Sequence, residues 1–588
     1  MDTNTKKEVD IMNCTSETLT WENIDWETVG NEVKNLQTRI FVAKQKNDRR
    51  QLRRLQKLLF KSHSNRLIAL RRVLIYNDGK KTLGIDKTTI SKKQRIKLYY
   101  EISKMDMHKY KPLPVKRIKN KLCPLGIPTI KDHCIQAMVR NCLEPEWEAV
   151  FESTSYGFRP GRSHHDALAR IYTTLSVKKI GNNRKNWVLD ANIESFFDNV
   201  DHNYIFEQLD NFPMKHLIYK WLKSGHIELS KFNPTDSGIS QGGIISPLLA
   251  NIVLTDLAKV LKTEPDSTGR VRGSRVYVRY ADNFVVLCSS LKEARKTHLE
   301  ISTWLKSKGL KTTIHKTRIV NISDGFDFLG INIRQYETKA KSKVKGKILL
   351  MRPSKIEILN IKQKLKSEWS FLRGKSITTV LNRLNPKILG WRNYFRKYVS
   401  VNTFRELDNW TYLKAWNYAS RMHPNKGKRW IYEKYFGNFV STRNDKWIFG
   451  DKRTGNHLQK FAWGNIQRHI LVKGHNSIYD PKLEQYWEKR QIHLFKKTKT
   501  LSEIKMAHRQ KFLCPVCKTS LYGEENLDKH HLIPQSVEKI DKYWNLLLIH
   551  KSCHQILHSN KDLNKAILNE FLPDPKRIIK SNTKLQLR

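Results

Sequence analysis

The sequence predicts a multidomain α+β protein, and three observations carry that prediction. From about 110 to 335, short apolar strands alternate with helices. Residues 353–436 read as helices dense in aromatics. Residues 506–588 place cysteines and histidines at metal-ligand spacing. A chain of 588 residues is too long for one core, so about two to four domains are expected.

Composition narrows the function classes. Lys+Arg total 109 against 55 Asp+Glu, a formal net charge of +54. An excess of that size over the whole chain points to a polyanionic partner. With 39% hydrophobic residues and 15 Trp, the chain buries real cores and is no disordered basic tail. No apolar run approaches the roughly 20 residues of a membrane span. The acids Asp2, Glu8, Asp10, Glu17 and Glu22 argue against a secretory or transit leader. Lys-, Asn- and Ile-rich usage suits an AT-rich organellar or bacterial genome, so an organelle interior (plastid or mitochondrion) or a bacterial cytoplasm is expected. Of eight Cys, only Cys514, Cys517 and Cys553 cluster, which fits a reduced compartment with one metal site.

Residues 21–76 read as basic helix: Arg49, Arg50, Arg53 and Arg54 alternate with Leu52, Leu55, Leu58 and Leu59 at helical spacing. Residues 77–86, NDGKKTLGID, are a turn-rich break. Strands are expected at 187–189, 276–278 and 284–287. Residues 440–505 are basic and poorly patterned, which predicts a linker or a second nucleic-acid surface.

Seven segments carry a resemblance. They are PLGIPTIKDHCIQ (124–136), LEPEWEAVFESTSYGFRPGRSHHDA (143–167), WVLDANIESFFDNVDH (187–202), SGISQGGIISPLLANIVL (237–254), VRYADNFVVL (278–287), GLKTTIHKTRIV (309–320) and GFDFLG (325–330). In order, spacing and wording they resemble group II intron reverse transcriptases. Residues 384–436, beginning LNPKILGWRNYFRKYVSVNTF, resemble the maturase region of the same proteins. The resemblance implies a right-hand polymerase-like fingers–palm and a helical thumb/maturase domain. The expected division is 1–100 helical extension and start of fingers, 101–340 fingers–palm, 341–440 thumb/maturase, 441–505 basic segment and 506–588 C-terminal unit.

Polymerases hold two divalent ions between carboxylates at a strand end and a hairpin turn. Y-A-D-N at 280–283 would be that hairpin and Asp282 one carboxylate. By resemblance Phe197 gates against the ribose 2′-OH, Lys316 meets the leaving pyrophosphate, and Gln241 lies at the template. Gly242 and Gly243 suit a turn where backbone approaches that template. The departures are equally specific. Asn192 and Asn283 stand where the family has catalytic carboxylates. Cys123 stands where it has a triphosphate-binding Arg, after a shortened finger segment KRIKNKLC. Asp190, roughly 6–7 Å along the strand from Asn192, is too far to ligate the same ion. Polymerase chemistry is therefore expected to be lost or weak, with Mg²⁺ in the palm only if the remaining groups still bind it.

In the maturase segment Arg392, Arg396, Lys397, Arg405, Lys414, Arg421, Lys426, Lys428 and Arg429 lie among aromatics. Basic groups meet phosphates and aromatic faces stack on unpaired bases. Arg392, Arg396, Lys426, Lys428 and Arg429 are the principal RNA-binding candidates. HPNKGKR reads as an exposed turn, while Gly390 and Trp391 read as structural.

Residues 514–558 resemble the ββα-metal (HNH) nucleases. Cys514 and Cys517 form C-x2-C, and His550 and Cys553 form H-x2-C, the pattern of a closed structural Zn²⁺ site. His530, His554 and His558 would hold Mg²⁺ or another divalent ion on the scissile phosphate, with Asp528 as an alternative ligand. His531 would be general base and Asn545 would orient it. The implied partners are intron RNA and a double-stranded DNA target, with room for a homodimer. Two rival readings are a fully active mobile-intron reverse transcriptase and an RNA-binding cofactor with both enzymatic centres inactive.

Overall fold

In the computed structural model the described residues are 20–76, 84–118, 125–176, 184–264, 273–313, 315, 317–337, 346–522, 526–536 and 542–571. Cys123 and Lys316, and residues 77–83 of the break at 77–86, lie outside them.

The N-terminal helices form where capping residues precede them. Asp25 accepts from the backbone of Glu27 and Thr28 to start helix Trp26–Gln45, Asp48 starts Arg49–Lys61, and Ser62 starts His63–Arg71. Leu52, Leu55 and Leu59 are buried as their spacing predicts, whereas Leu58 is exposed. A wider π turn, Arg72–Tyr76, continues the third helix. All three surround helix Ile130–Glu148, which Thr129 caps and which is buried along almost its whole length.

The C-terminal end of that central helix and the loop after it carry four buried carboxylates. Glu144 takes Arg140 and the Tyr479 hydroxyl (2.9 Å). Glu146 takes Arg53 (2.8 Å), Gln56 and Lys44. Glu148 takes Arg159 (2.8 Å), and Glu152 pairs with the fully buried Arg279 (3.4 Å). Each acid thereby gathers a cation or hydroxyl from a different part of the chain.

The strands are β1 (Val115–Ile118), β2 (Leu125–Ile127), β3 (Trp187–Asn192), β4 (His226–Glu228), β5 (Lys231–Asn233), β6 (Arg275–Tyr280), β7 (Asn283–Cys288) and β8 (Arg318–Asn321). One sheet, ordered β2-β1-β4-β5, forms the fingers; the other, β6-β7-β3-β8, forms the palm. In the palm β7 pairs antiparallel with β6 and β3, and Asn192 lies opposite Asn283. The β6–β7 turn needs Ala281 at φ 58°. It is braced by Tyr156 N–H donating to the Arg279 carbonyl (2.9 Å) and Arg279 N–H to Thr154 (3.0 Å).

A three-stranded sheet of Phe326–Phe328, Ile331–Glu337 and Lys347–Pro353 leads into thumb helices Lys355–Phe371, Ile377–Phe395, Val401–Met422 and Lys428–Tyr435. Most of the aromatics there are core. Trp391 packs on Phe395, Phe404 and Phe461, while Tyr412 and Trp416 pack on Phe436.

Residues 441–505, expected as a linker or a nucleic-acid surface, form a strap packed across thumb and palm. Asp408 caps Phe461 and Ala462 (2.7 and 2.9 Å). The buried Asp166 accepts from Val472 N–H and pairs with His469 and Arg490. Helices Glu484–Thr498 and Leu501–Arg509 then lead to the C-terminal unit. There strands Leu527–His531 and Leu546–His550 pair antiparallel, and helix Lys551–Ser559 completes ββα. Its apolar residues join one core with the N-terminal helices and the central helix.

Gly157 and Gly390 separate packing from propensity. A Cβ on Gly157 would stand 2.2 Å from the Ala281 amide, whereas one on Gly390 meets nothing within 4 Å. Contrary to the structural role predicted for Gly390, packing does not require glycine there. Gly390→Ala should therefore hold or raise stability by up to about 1 kcal/mol. Gly157→Ala should cost about 1–3 kcal/mol and displace the palm hairpin. Chemical denaturation of the two variants checks this, and equal effects would refute it.

Candidate functional site

The palm hairpin brings Asp282, Asn283 and Asn192 to one edge of the sheet. Asn283 donates to Asp282 (3.2 Å), and the buried Oδ1 of Asn192 has no hydrogen-bond partner among the described residues. The edge thus offers one carboxylate and two amide side chains, which carry no charge to balance two dications. Asp190 does not stand in for the missing charge, because its carboxylate pairs with Arg318 (3.4 Å). Burial pushes Asp190 up to about 6, against the pull of Arg318, with Asp327 adding to the rise.

Phe197 and Gln241 line one cavity of about 260 Å³ with Gly238 and His226. Arg117, which is not among the residues predicted for the site, reaches the same cavity from β1 and pairs with Asp198 (3.1 Å) beside Phe197. Its sequence signal is its place as the Arg of the shortened finger segment. The glycine turn serves a purpose other than the one predicted. A Cβ on Gly242 would fall 1.8 Å from the Gly126 carbonyl, and one on Gly243 would meet Ser246 and Gln136. The close approach is between palm turn and finger strand β2.

On the thumb, Lys426, Lys428 and Arg429 are exposed, as the turn pattern predicts. Trp430 stands beside them, 36% exposed, with Lys426 at 5.7 Å and Lys434 at 4.7 Å from its ring. Arg392 and Arg396 depart from the expectation of RNA contact. Arg392 donates to the Lys460 carbonyl (3.1 Å), and Arg396 to Gln467 and the Lys497 carbonyl (2.9 Å). Both forks bond the strap, Arg392 through one backbone carbonyl and Arg396 through a carbonyl and the Gln467 side chain.

The C-terminal unit holds two groups able to take a metal ion. Among the described residues no other trio of His, Cys, Asp or Glu side chains converges in this way. Cys514, Cys517, His550 and Cys553 are all buried, with donor atoms within 4.8 Å of one another. His550 Nε2 donates to the Ser520 carbonyl (3.2 Å), so Nδ1 faces the sulfurs of Cys517 (3.3 Å) and Cys553 (3.9 Å). That orientation by an outer carbonyl is what a histidine ligand requires. The set fits a closed, four-coordinate zinc site.

The second group is His530, His554 and His558. His530 is 4% exposed, and its buried Nε2 has no hydrogen-bond partner among the described residues. Burial, and then the neighbouring His554, His558 and His531 rings, push it down to about 4, so its lone pair is free near neutral pH. Asp528, predicted as an alternative ligand, accepts from His554 Nδ1 (3.3 Å) and leaves His554 Nε2 beside His558 Nε2 (3.0 Å). Here the carboxylate orients a ligand. His531 lies next to this group, with Gln535 3.1 Å from its Nε2. Asn545 is fully buried and bonds both the amide and carbonyl of Ile533 (2.7 and 3.2 Å). It fixes the chain two residues beyond His531, a brace on the backbone at that point.

Known proteins fit this layout. Residues 21–102 match the N-terminal domain of reverse transcriptase, and 102–333 match reverse transcriptase (RNA-dependent DNA polymerase). Residues 358–436 match the maturase-specific domain of group II introns, and 514–560 match HNH endonuclease. Protein YkfC of Escherichia coli (strain K12) is 30% identical over 298 residues, covering 44% of this chain and 77% of that protein. Group II intron-encoded protein LtrA of Lactococcus lactis subsp. cremoris is 30% identical over 438 residues, 58% of this chain and 70% of LtrA. Maturase-like protein 1 of Euglena gracilis is 25% identical, covering 64% of this chain and 77% of that protein.

The Asp190 carboxylate gives a pH test. Its folded pKa is raised, so the folded protein bears the cost of its charge fully above about pH 6 and sheds that cost as pH falls toward 4. Asp190→Asn should therefore stabilise by roughly 1–3 kcal/mol at pH 8, with the gain shrinking toward pH 4. Paired denaturation curves at the two pH values measure it, and a gain that grows on acidification would contradict the assignment.

Proposed function

The chain belongs to the group II intron-encoded proteins, maturases with reverse-transcriptase and HNH endonuclease domains, and from that membership we propose that it promotes intron RNA splicing and nicks DNA while its palm no longer polymerises. The observation that carries this reading is the placement of both metal-competent clusters in the C-terminal unit, while Asn192 faces Asn283 in the palm.

RNA binding follows from charge and shape. The exposed Lys426, Lys428 and Arg429 contact phosphates, and Trp430 offers a face for an unpaired base. The basic face of helix Arg49–Lys61 adds a second stretch. The palm serves as a rigid scaffold between them. The RNA is the catalyst of splicing, and the protein neutralises and braces it.

In the nuclease, a divalent ion supplies charge stabilisation at the scissile phosphate when bound. His530, His554 and His558 hold it, and Asp528 fixes the His554 tautomer. His531 takes a proton from the attacking water as general base. Gln535 contacts that ring, and Asn545 holds the backbone beyond it. The zinc site keeps the unit folded. No helix among the described residues is long and apolar enough to cross a membrane. The relatives are bacterial and organellar proteins, and an organelle interior or bacterial cytoplasm is the compartment proposed.

Three measurements test this reading. His531→Ala should lower DNA nicking by about 10²-fold or more with splicing unchanged; normal nicking would remove His531 from the chemistry. Combining Lys426→Ala, Lys428→Ala and Arg429→Ala should reduce the slope of log K against log salt by about 2; an unchanged slope places the RNA elsewhere. Purified protein should yield little cDNA on an RNA template with Mg²⁺, and Asn192→Asp with Asn283→Asp should recover some extension. Full-length cDNA from the native protein, abolished by Asp282→Ala, would restore the active reverse-transcriptase reading.

A further inference from the structure

Arg71 ends helix His63–Arg71 and is 5% exposed. Its guanidinium lies 4.5 Å from the Trp26 ring centroid and 5.3 Å from that of Tyr76, within reach of cation–π attraction to both. It donates a hydrogen bond to the Cys517 sulfur. An N-terminal side chain therefore reaches the four-ligand cluster of the C-terminal unit. The helix widens to its π turn immediately after Arg71, a distortion that recurs where helices carry function.

Charge explains why this contact matters. Three thiolates and a neutral imidazole around Zn²⁺ leave one net negative charge, and all four ligands are buried. An arginine is always protonated. Either charge alone would be costly in this apolar seam. Leu67, Leu70, Val73 and Leu74 from one side share a core with Cys514, Cys553 and Leu557 from the other.

We propose that Arg71 is the counter-ion of the zinc–thiolate cluster, so that metal occupancy of the nuclease and its docking on the N-terminal helices form one coupled equilibrium. The proposal rests on the zinc reading of the cluster. Filling the site creates the anion that Arg71 neutralises, and emptying it leaves a buried cation facing thiols. Metal loss is thereby felt in helix His63–Arg71, on the side of the molecule that carries the basic helix Arg49–Lys61. Arg71 is a positioning residue in this scheme, since it touches a ligand and not the scissile strand.

The test uses the full chain. Metal content of the purified protein is measured first, and then zinc transfer to a chromogenic chelator is timed for native protein, Arg71→Met and Arg71→Lys. Hydrogen exchange is followed over 63–76 with and without metal. Arg71→Met should release zinc about 10- to 100-fold faster, the range for loss of an outer partner of a metal ligand, with Arg71→Lys between it and the native protein. Cobalt substituted for zinc should show a shifted thiolate charge-transfer band in Arg71→Met. Stripping zinc from the native protein should raise exchange over 63–76 and need no variant to fold. Native protein that carries zinc, with release unchanged in Arg71→Met or with exchange over 63–76 unmoved by stripping, overturns the Arg71 proposal alone. Native protein that binds no zinc overturns it together with the zinc assignment.

Discussion

In a chain of net charge +54, the organising elements are anions. Glu144, Glu146, Glu148 and Glu152 are buried at the end of the central helix and just beyond it, and each binds a cation or hydroxyl from another segment. Removing one acid would leave its partner charged and buried, a cost larger than the pair's own net contribution. The arrangement fixes where the N-terminal helices, the strap, the finger loop and the palm hairpin meet. Arg279 shows the reach of the scheme: held by Glu152 and by Asn251 (3.0 Å), it sets the backbone that presents Asp282.

Much of this is legible in the sequence because the informative residues are close together along the chain. Apolar alternation marks β3, β6 and β7, and the turn residues between them mark the hairpin. The C-x2-C and H-x2-C spacings bring four ligands together with little help from distant chain, and His554 and His558 share a helix face by periodicity alone. The features that escape such reasoning are long-range. Nothing around 469–490 announces that Asp166, more than three hundred residues earlier, anchors it. Arg392 and Arg396 read as surface cations because their partners are backbone carbonyls, which have no sequence signature. Gly242 reads as a template contact because the finger strand it touches comes from another part of the chain.

The two chemical centres differ in how they hold charge. The C-terminal clusters are built from imidazoles, which ligate while neutral, and from thiols, which a bound metal holds as thiolates, and their outer partners, Ser520 and Asp528, fix one ring in each cluster. The palm hairpin presents one carboxylate, Asp282, beside the amides of Asn283 and Asn192. Strand register there depends on backbone bonds and the apolar face, while affinity for dications depends on side-chain charge.

The strap has a bearing on how RNA is engaged. It runs from thumb to palm and is fastened at Asp408, Asp166 and Arg162. A thumb fastened to the rest of the hand at these points is restrained from swinging. The basic surface is presented already shaped, so conformational entropy is lost mainly by the RNA on binding. For a flexible polyanion that must reach one functional arrangement among many, a stiff charged template of the kind proposed would discriminate by geometry: RNA conformers that place phosphates where the exposed lysines stand would be retained, and the others would dissociate.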